Sequence, residues 1–176
     1  DASDGTELWS HSLHSGNVQS VHASNGVVYS GSYDDTVKAV DASDGTELWS
    51  HSLHSKSVES VHASNGVVYS GSGDNTVKAV DASDGSQLWS HSLHSNFVWS
   101  VHASNGVVYS GSGDDTVKAV DASDGTELWS HSLHSGNVQS VHASNGVVYS
   151  GSYDDTVKAV DASDGTELWS HSLHSK

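Results

Sequence analysis

Residues 41–80, DASDGTELWSHSLHSKSVESVHASNGVVYSGSGDNTVKAV, recur with few changes as residues 81–120 and 121–160. The chain of 176 residues is four such 40-residue periods plus sixteen residues. A period near 40 built of several short strands is the signature of propeller blades, whereas helical arrays of similar length need apolar residues at 3.6-residue spacing, which this text lacks. Gly (17 residues), Ser and Val dominate, and Pro, Cys and Met are absent. These preferences favour short strands joined by turns over helices. The expected fold class is therefore all-β.

Each period divides into four strand-like runs, called A to D. Strand A is Val18 to Ala23, followed by Asn25-Gly26, a pair that readily takes the positive φ angles of a type I′ hairpin turn. Strand B is Val27 to Ser32, strand C is Thr36 to Val40 after the turn at Asp34-Asp35, and strand D is Glu47 to Leu53 after Ser43-Asp44-Gly45. The chain opens on a D run, Glu7 to Leu13, so the reading predicts seventeen strands, one more than four blades need. The expected divisions are 1–15 as an extra, blade-closing strand D, then blades at 16–55, 56–95, 96–135 and 136–175.

Charge removes several classes of partner. Asp and Glu number 22 against six lysines, giving a net charge of −16. Such a surface repels phosphate backbones, so no nucleic acid partner is expected. No apolar run approaches the roughly 20 residues of a membrane helix, and no membrane association is expected. Without Cys there is no thiolate metal site, and nothing indicates a redox compartment. Localisation stays open, with the cytoplasm as default. Asp1 begins inside a repeat, as expected of an excised, processed or engineered piece.

Two family resemblances cover the chain. Leu13-His14-Ser15 before strand A, with Ser30-Gly31-Ser32-Tyr33-Asp34-Asp35-Thr36-Val37-Lys38 across the B to C turn, resembles the WD-repeat pattern. That resemblance implies a buried hydrogen-bonded set made of His14, Ser30 or Ser32, and Asp34, repeated at His54 and Asp74, His94 and Asp114, and His134 and Asp154. Val40 stands where the pattern has its strand-C Trp. Ala39-Val40-Asp41-Ala42-Ser43-Asp44-Gly45-Thr46-Glu47-Leu48-Trp49 resembles the tryptophan-docking motif of quinoprotein-like propellers. It implies that Trp9, Trp49, Trp89, Trp129 and Trp169 pack between neighbouring blades. One Trp buries on the order of 200 Å² and donates through its indole N–H, enough to staple sheets otherwise cored by Val and Ala.

No catalytic signature stands outside the repeated turns, so the chain reads as a non-enzyme with no cofactor. The 14 histidines suggest a metal, but His11 and His14 lie at an odd offset on a strand and point to opposite faces. They read as hydrogen-bonding groups, with convergence of equivalent histidines from several blades around the axis as the alternative. No metal site is expected.

The copies differ mainly in two places. One flanks the first valine of strand A: Gly16, Asn17 and Gln19, then Lys56, Ser57 and Glu59, then Asn96, Phe97 and Trp99, then Gly136, Asn137 and Gln139. The other precedes the turn Asp, at Tyr33, Gly73, Gly113 and Tyr153. In WD-repeat propellers the matching positions lie on the top rim and meet partners. The resemblance thus implies a protein or peptide ligand of basic or mixed character, held by Phe97, Trp99, Tyr33 and Tyr153 as exposed apolar anchors, as in self/non-self sensor modules. The alternative is an engineered or recently amplified structural module with no natural ligand.

Strand counting also bears on assembly. Four blades must bend sharply to close alone, and an open array leaves unpaired edges. Two chains supply eight blades with one strand D to spare in each, so the expected assembly is a homodimer completing an eight-bladed propeller.

Overall fold

The computed structural model describes residues 3–172. Its strands form four antiparallel four-stranded sheets, each in sequence order, and each sheet is one blade. Blade 1 is β1 (Val18–Ser24), β2 (Val27–Ser32), β3 (Val37–Asp41) and β4 (Glu47–His51). Blade 2 is β5 (Val58–Ser64), β6 (Val67–Ser72), β7 (Val77–Asp81) and β8 (Gln87–His91). Blade 3 is β9 (Val98–Ser104), β10 (Val107–Ser112), β11 (Val117–Asp121) and β12 (Glu127–His131). Blade 4 is β13 (Val138–Ser144), β14 (Val147–Ser152), β15 (Thr156–Asp161) and β16 (Glu167–Ser172). The fold is a run of propeller blades.

Local chemistry sets the hairpins. Asn25 and Gly26 take φ of 51° and 77°, the pair of left-handed residues that a type I′ turn requires. Its strands stay in register from Ser24↔Val27 to Ser20↔Gly31, and then a bulge shifts the pairing before Val18↔Ser32. The bulge has a packing consequence. In blade 2 the same irregularity lets Val58 and Val61, three residues apart, both face Gly31 of blade 1.

The apolar cores lie between blades. Tyr29, Val37, Ala39 and Trp49 of blade 1 pack against Val58, Val61, Ala63, Val68 and Val80 of blade 2. The same set recurs at the next two junctions. Beta alternation explains the division: one face of each sheet carries Tyr, Ala and Trp, the other carries the strand-A valines.

Two expectations are corrected here. The run Glu7 to Leu13 joins no sheet, so the described residues hold sixteen strands rather than seventeen. A strand needs an edge to pair with, and no sheet edge among the described residues pairs with this run. At the other end β16 is paired through Ser172, and Leu173 lies outside the described residues. The docking tryptophans are also not all buried. Trp49, Trp89 and Trp129 are buried and Trp9 is half-buried, but Trp169 is 41% exposed, with no further blade packed on it among the described residues.

Trp89→Ala removes a side chain from the middle of a junction and is expected to cost about 3–5 kcal/mol. Leu88→Ala, on the neighbouring exposed position, is expected to stay within about 0.5 kcal/mol. Guanidinium unfolding followed by circular dichroism measures both.

Candidate functional site

The feature that the blades share is the junction itself, made of two locks. At the outer edge, the Trp49 indole N–H donates to the Ala82 carbonyl at 3.0 Å, and His51 Nε2 donates to the Asp84 carbonyl at 2.9 Å. Both rings lie on Gly85, where an added Cβ would sit 2.3 Å from His51 Cδ2, and whose φ is +72°. Only glycine serves there. Nearer the inner edge, a Cβ on Gly31 would meet Val58 Cγ1 at 2.6 Å, and the Val61 N–H donates to Ser20 Oγ at 3.1 Å.

The chain ends carry the two halves of this junction separately. On blade 1, Val18 is 50% and Val21 is 65% exposed, where their counterparts Val58 and Val61 are 0% and 4%. On blade 4, among the described residues, a Cβ on Gly151 would meet only its own blade's Ser140 hydroxyl. Tyr149 and Trp169 are exposed beside it, and a notch of about 270 Å³ opens against Gly151, Tyr153 and Val157. The segment before blade 1 behaves as an outer strand without a sheet: Trp9 donates to the Ala42 carbonyl at 3.0 Å, and His11 donates to the Asp44 carbonyl at 3.1 Å. Sequence reading missed Val18, Val21 and Gly151 as site residues, because the repeats spell them like their buried equivalents.

At each blade a polar clasp ties the segment leading into strand A to the B to C turn. The Ser30 hydroxyl meets His14 Nε2 at 2.7 Å, His14 Nδ1 lies 3.0 Å from an Asp34 carboxylate oxygen, and Thr36 Oγ1 lies 3.0 Å from the same nitrogen. Ser30 rather than Ser32 is the imidazole's partner, and Ser32 Oγ instead accepts the Asp34 N–H. Thr36 adds the fourth group. His54 with Asp74, His94 with Asp114, and His134 with Asp154 repeat the arrangement. Burial opposes ionisation of Asp34, but hydrogen bonds from Thr36, the Ser15 N–H and His14 outweigh it and hold the carboxyl well below the ordinary range. Asp74 is held down in the same way, with His54 as the strongest of its donors. The pattern is a structural one, closed on itself.

The rim positions fall into three groups, and two expectations for them change. Asn17, Gln19, Lys56 and Asn96 are exposed, as are Tyr33 and Tyr153. Ser57, Asn137 and Gln139 are half-buried. Glu59 is buried and accepts a hydrogen bond from the Ser57 hydroxyl, so it is not presented to solvent. Phe97 and Trp99 are half-buried rather than exposed, with ring centroids 5.3 Å apart and the Lys56 ammonium 5.5 Å from the Phe97 centroid. Gly73 is buried and Gly113 half-buried because each makes room for an aromatic. A Cβ on Gly73 would lie 3.2 Å from Phe97, and one on Gly113 would lie 3.2 Å from Trp99 Nε1. Conversely, Tyr33 and Tyr153 occur where positions 16 and 136 are Gly, whose Cβ would press on the backbone at Asp34 and Asp154. The variable positions therefore change together as packing partners. Between blades 1, 2 and 3 they leave an open cleft of about 460 Å³ lined by Tyr33, Asp35, Lys56, Ser57, Phe97 and Trp99.

A further set lies on the inner strands. His22, His62, His102 and His142 form a row across the four blades, with successive ring centroids 4.2, 4.3 and 4.3 Å apart. Among the described residues, no group of three His, Asp or Glu side chains is arranged to hold a metal ion.

The family model described as outer membrane protein assembly factor BamB, a quinoprotein-type propeller family, matches residues 1–96 and 73–176. The chain belongs to that family. Among solved structures it is similar to the computationally designed Ika8 protein, with 32% identity and a TM-score of 0.88 over 95% of this chain and 52% of that one. It is also similar to the computationally designed Ika4 protein, with 31% identity and a TM-score of 0.83 over 89% of this chain and 98% of that one. The chain thus spans about half the length of Ika8 and nearly all of Ika4. No curated protein matches the sequence.

If the rim residues are coupled by packing, Gly73→Tyr is expected to cost about 1–3 kcal/mol through the clash with Phe97. Adding Phe97→Asn, the residue that stands at this place in blades 1 and 4, is expected to recover most of that loss. A double-mutant cycle on denaturant midpoints gives the coupling.

Proposed function

We propose that the chain is a non-catalytic structural repeat module of the engineered kind, whose working property is to pair with a second copy and close an eight-bladed ring. The carrying observation is the mismatch at its ends. Among the described residues, blade 1 offers exposed strand-A valines and blade 4 offers an exposed Tyr, Gly and Trp face, each without a blade packed on it. These are the two halves of one junction, already formed three times within the chain. Two copies related by a twofold axis join both pairs of halves at once, which satisfies closure. Similarity to Ika8, of which this chain spans half, and to Ika4, of which it spans nearly all, supports the reading. Each copy carries two D runs for one place: Trp9 occupies the docking position over Ala42 that a second copy's Trp169 would also fit. Closure uses one of them and leaves the other redundant.

Light scattering at several concentrations is expected to give about twice 18.4 kDa. Val21→Asp, placed on the exposed end of blade 1, is expected to return the mass to that of one folded chain. A cooperative, stable monomer of the unaltered sequence would overturn the proposal.

A second reading rests on the rim cleft. Its aromatic pair, with Asp35 beside it on a protein of charge −16, suits a Lys- or Arg-rich peptide. A display-selected basic peptide is expected to lose at least tenfold in affinity for the Phe97→Ser, Trp99→Ser double variant. Unchanged affinity would count against this site.

A further inference from the structure

We propose that His22, His62, His102 and His142 form an acid-sensitive clasp between blades, and that ring closure extends it by setting His142 of one copy against His22 of the second. The extension rests on the paired reading above; the clasp within one chain does not.

The geometry requires a neutral His62 ring. The Ala103 N–H of blade 3 donates to His62 Nδ1 at 3.3 Å, so that nitrogen must keep its lone pair and the ring proton must sit on Nε2. Protonation would set N–H against N–H, and it would remove a hydrogen bond that joins two blades. It would also bring positive charge to within 4.2 and 4.3 Å of the neighbouring rings, measured between centroids. His62 is faced by His22 from β1, by Tyr69, its cross-strand partner on β6, and by His102 from β9. Burial pushes the Tyr69 phenol up, so it stays neutral and offers no compensating charge. No carboxylate is among the groups acting on His62.

Burial first, and then His102, His22 and His142, depress His62 from 6.5 to about 4. His102 is lowered too, by burial and then by His142. An unfolded His binds its proton near pH 6.5, whereas folded His62 resists until about 4. The stabilisation is therefore complete above about pH 6.5 and drains away as the pH falls toward about 4. At pH 5 this linkage at His62 therefore weakens the fold relative to pH 7. The Asp34-type clasps, whose carboxyls are held low, weaken only below the ordinary carboxylate value of about 3.9, outside that window. His134 is also lowered, by burial against the pull of Asp154, so the readout must be resolved by site.

The test is a carbon-detected NMR titration of the histidines in the full chain from pH 8 to 4, beside thermal unfolding of the unaltered protein and of a His62→Gln, His102→Gln variant. Gln keeps a side-chain acceptor but does not titrate. The clasp predicts His62 titrating near 4 and His102 below the ordinary histidine value of about 6.5, and a much flatter loss of stability between pH 6.5 and 4.5 in the variant. Ordinary titration of both rings, or an unchanged acid profile in the variant, overturns it. Should the variant not fold, the titration of the unaltered chain decides alone. Mass at pH 7.5 separates the two readings. A monomer with depressed rings supports the clasp within the chain and overturns its extension between copies, whereas a dimer with ordinary rings overturns the clasp and leaves ring closure standing.

Discussion

Contact between blades across glycine holds this molecule together. Where strand A of one blade crosses strand B of the last, a Cβ on Gly31 would stand 2.6 Å from Val58, and at the outer edge one on Gly85 would stand 2.3 Å from His51. The absence of two methyl groups thus brings two sheets close enough to bury Tyr29, Val37 and Trp49 against valines of the next blade. A single blade has no core of its own. Its stability is almost entirely that of its neighbours, the nearest-neighbour logic of repeat proteins.

That dependence explains why the ends of the chain are chemically unlike its middle although they are spelled alike. Val21 and Val61 share a sequence context, yet one is 65% exposed and the other 4%. An exposed apolar face with a ready complement on the same molecule is heterologous by nature, and it ends either in closure or in continued growth. The acidic surface, with 22 carboxylates against six lysines, offers long-range repulsion against indiscriminate stacking while leaving short-range apolar matching in place.

The polar parts of the structure serve the same frame at different levels. The His14, Ser30, Asp34 and Thr36 clasp ties the segment leading into strand A to the B to C turn and anchors the turn that carries the rim. The inner His row crosses blades and is tuned by burial and by its own members. Rim variation obeys packing as well: glycine at 73 and 113 accompanies Phe97 and Trp99, and glycine at 16 and 136 accompanies Tyr33 and Tyr153. Phe97 and Trp99, half-sunk beside these glycines, have few rotamers left open to them.

Much of this was legible in one dimension because the information is local. Period, strand limits and the Asn25-Gly26 turn follow from alternation and from backbone freedom at single residues, and the 40-residue repeat makes each reading four times redundant. The candidate site was legible only in part. The rim could be located from the differences between copies, but the half-burial of Phe97 and Trp99 and the full burial of Glu59 depend on what the adjacent blade places beside them. The fate of the first D run could not be read at all. Glu7 to Leu13 has the same strand text as Glu47 to Leu53, yet it pairs with no sheet among the described residues, because a strand is a relation between two edges and not a property of its own text. Composition and pattern determined what each segment is able to become. Only the tertiary structure decided which segments find a neighbour, because burial and pairing belong to the contact and not to the residue.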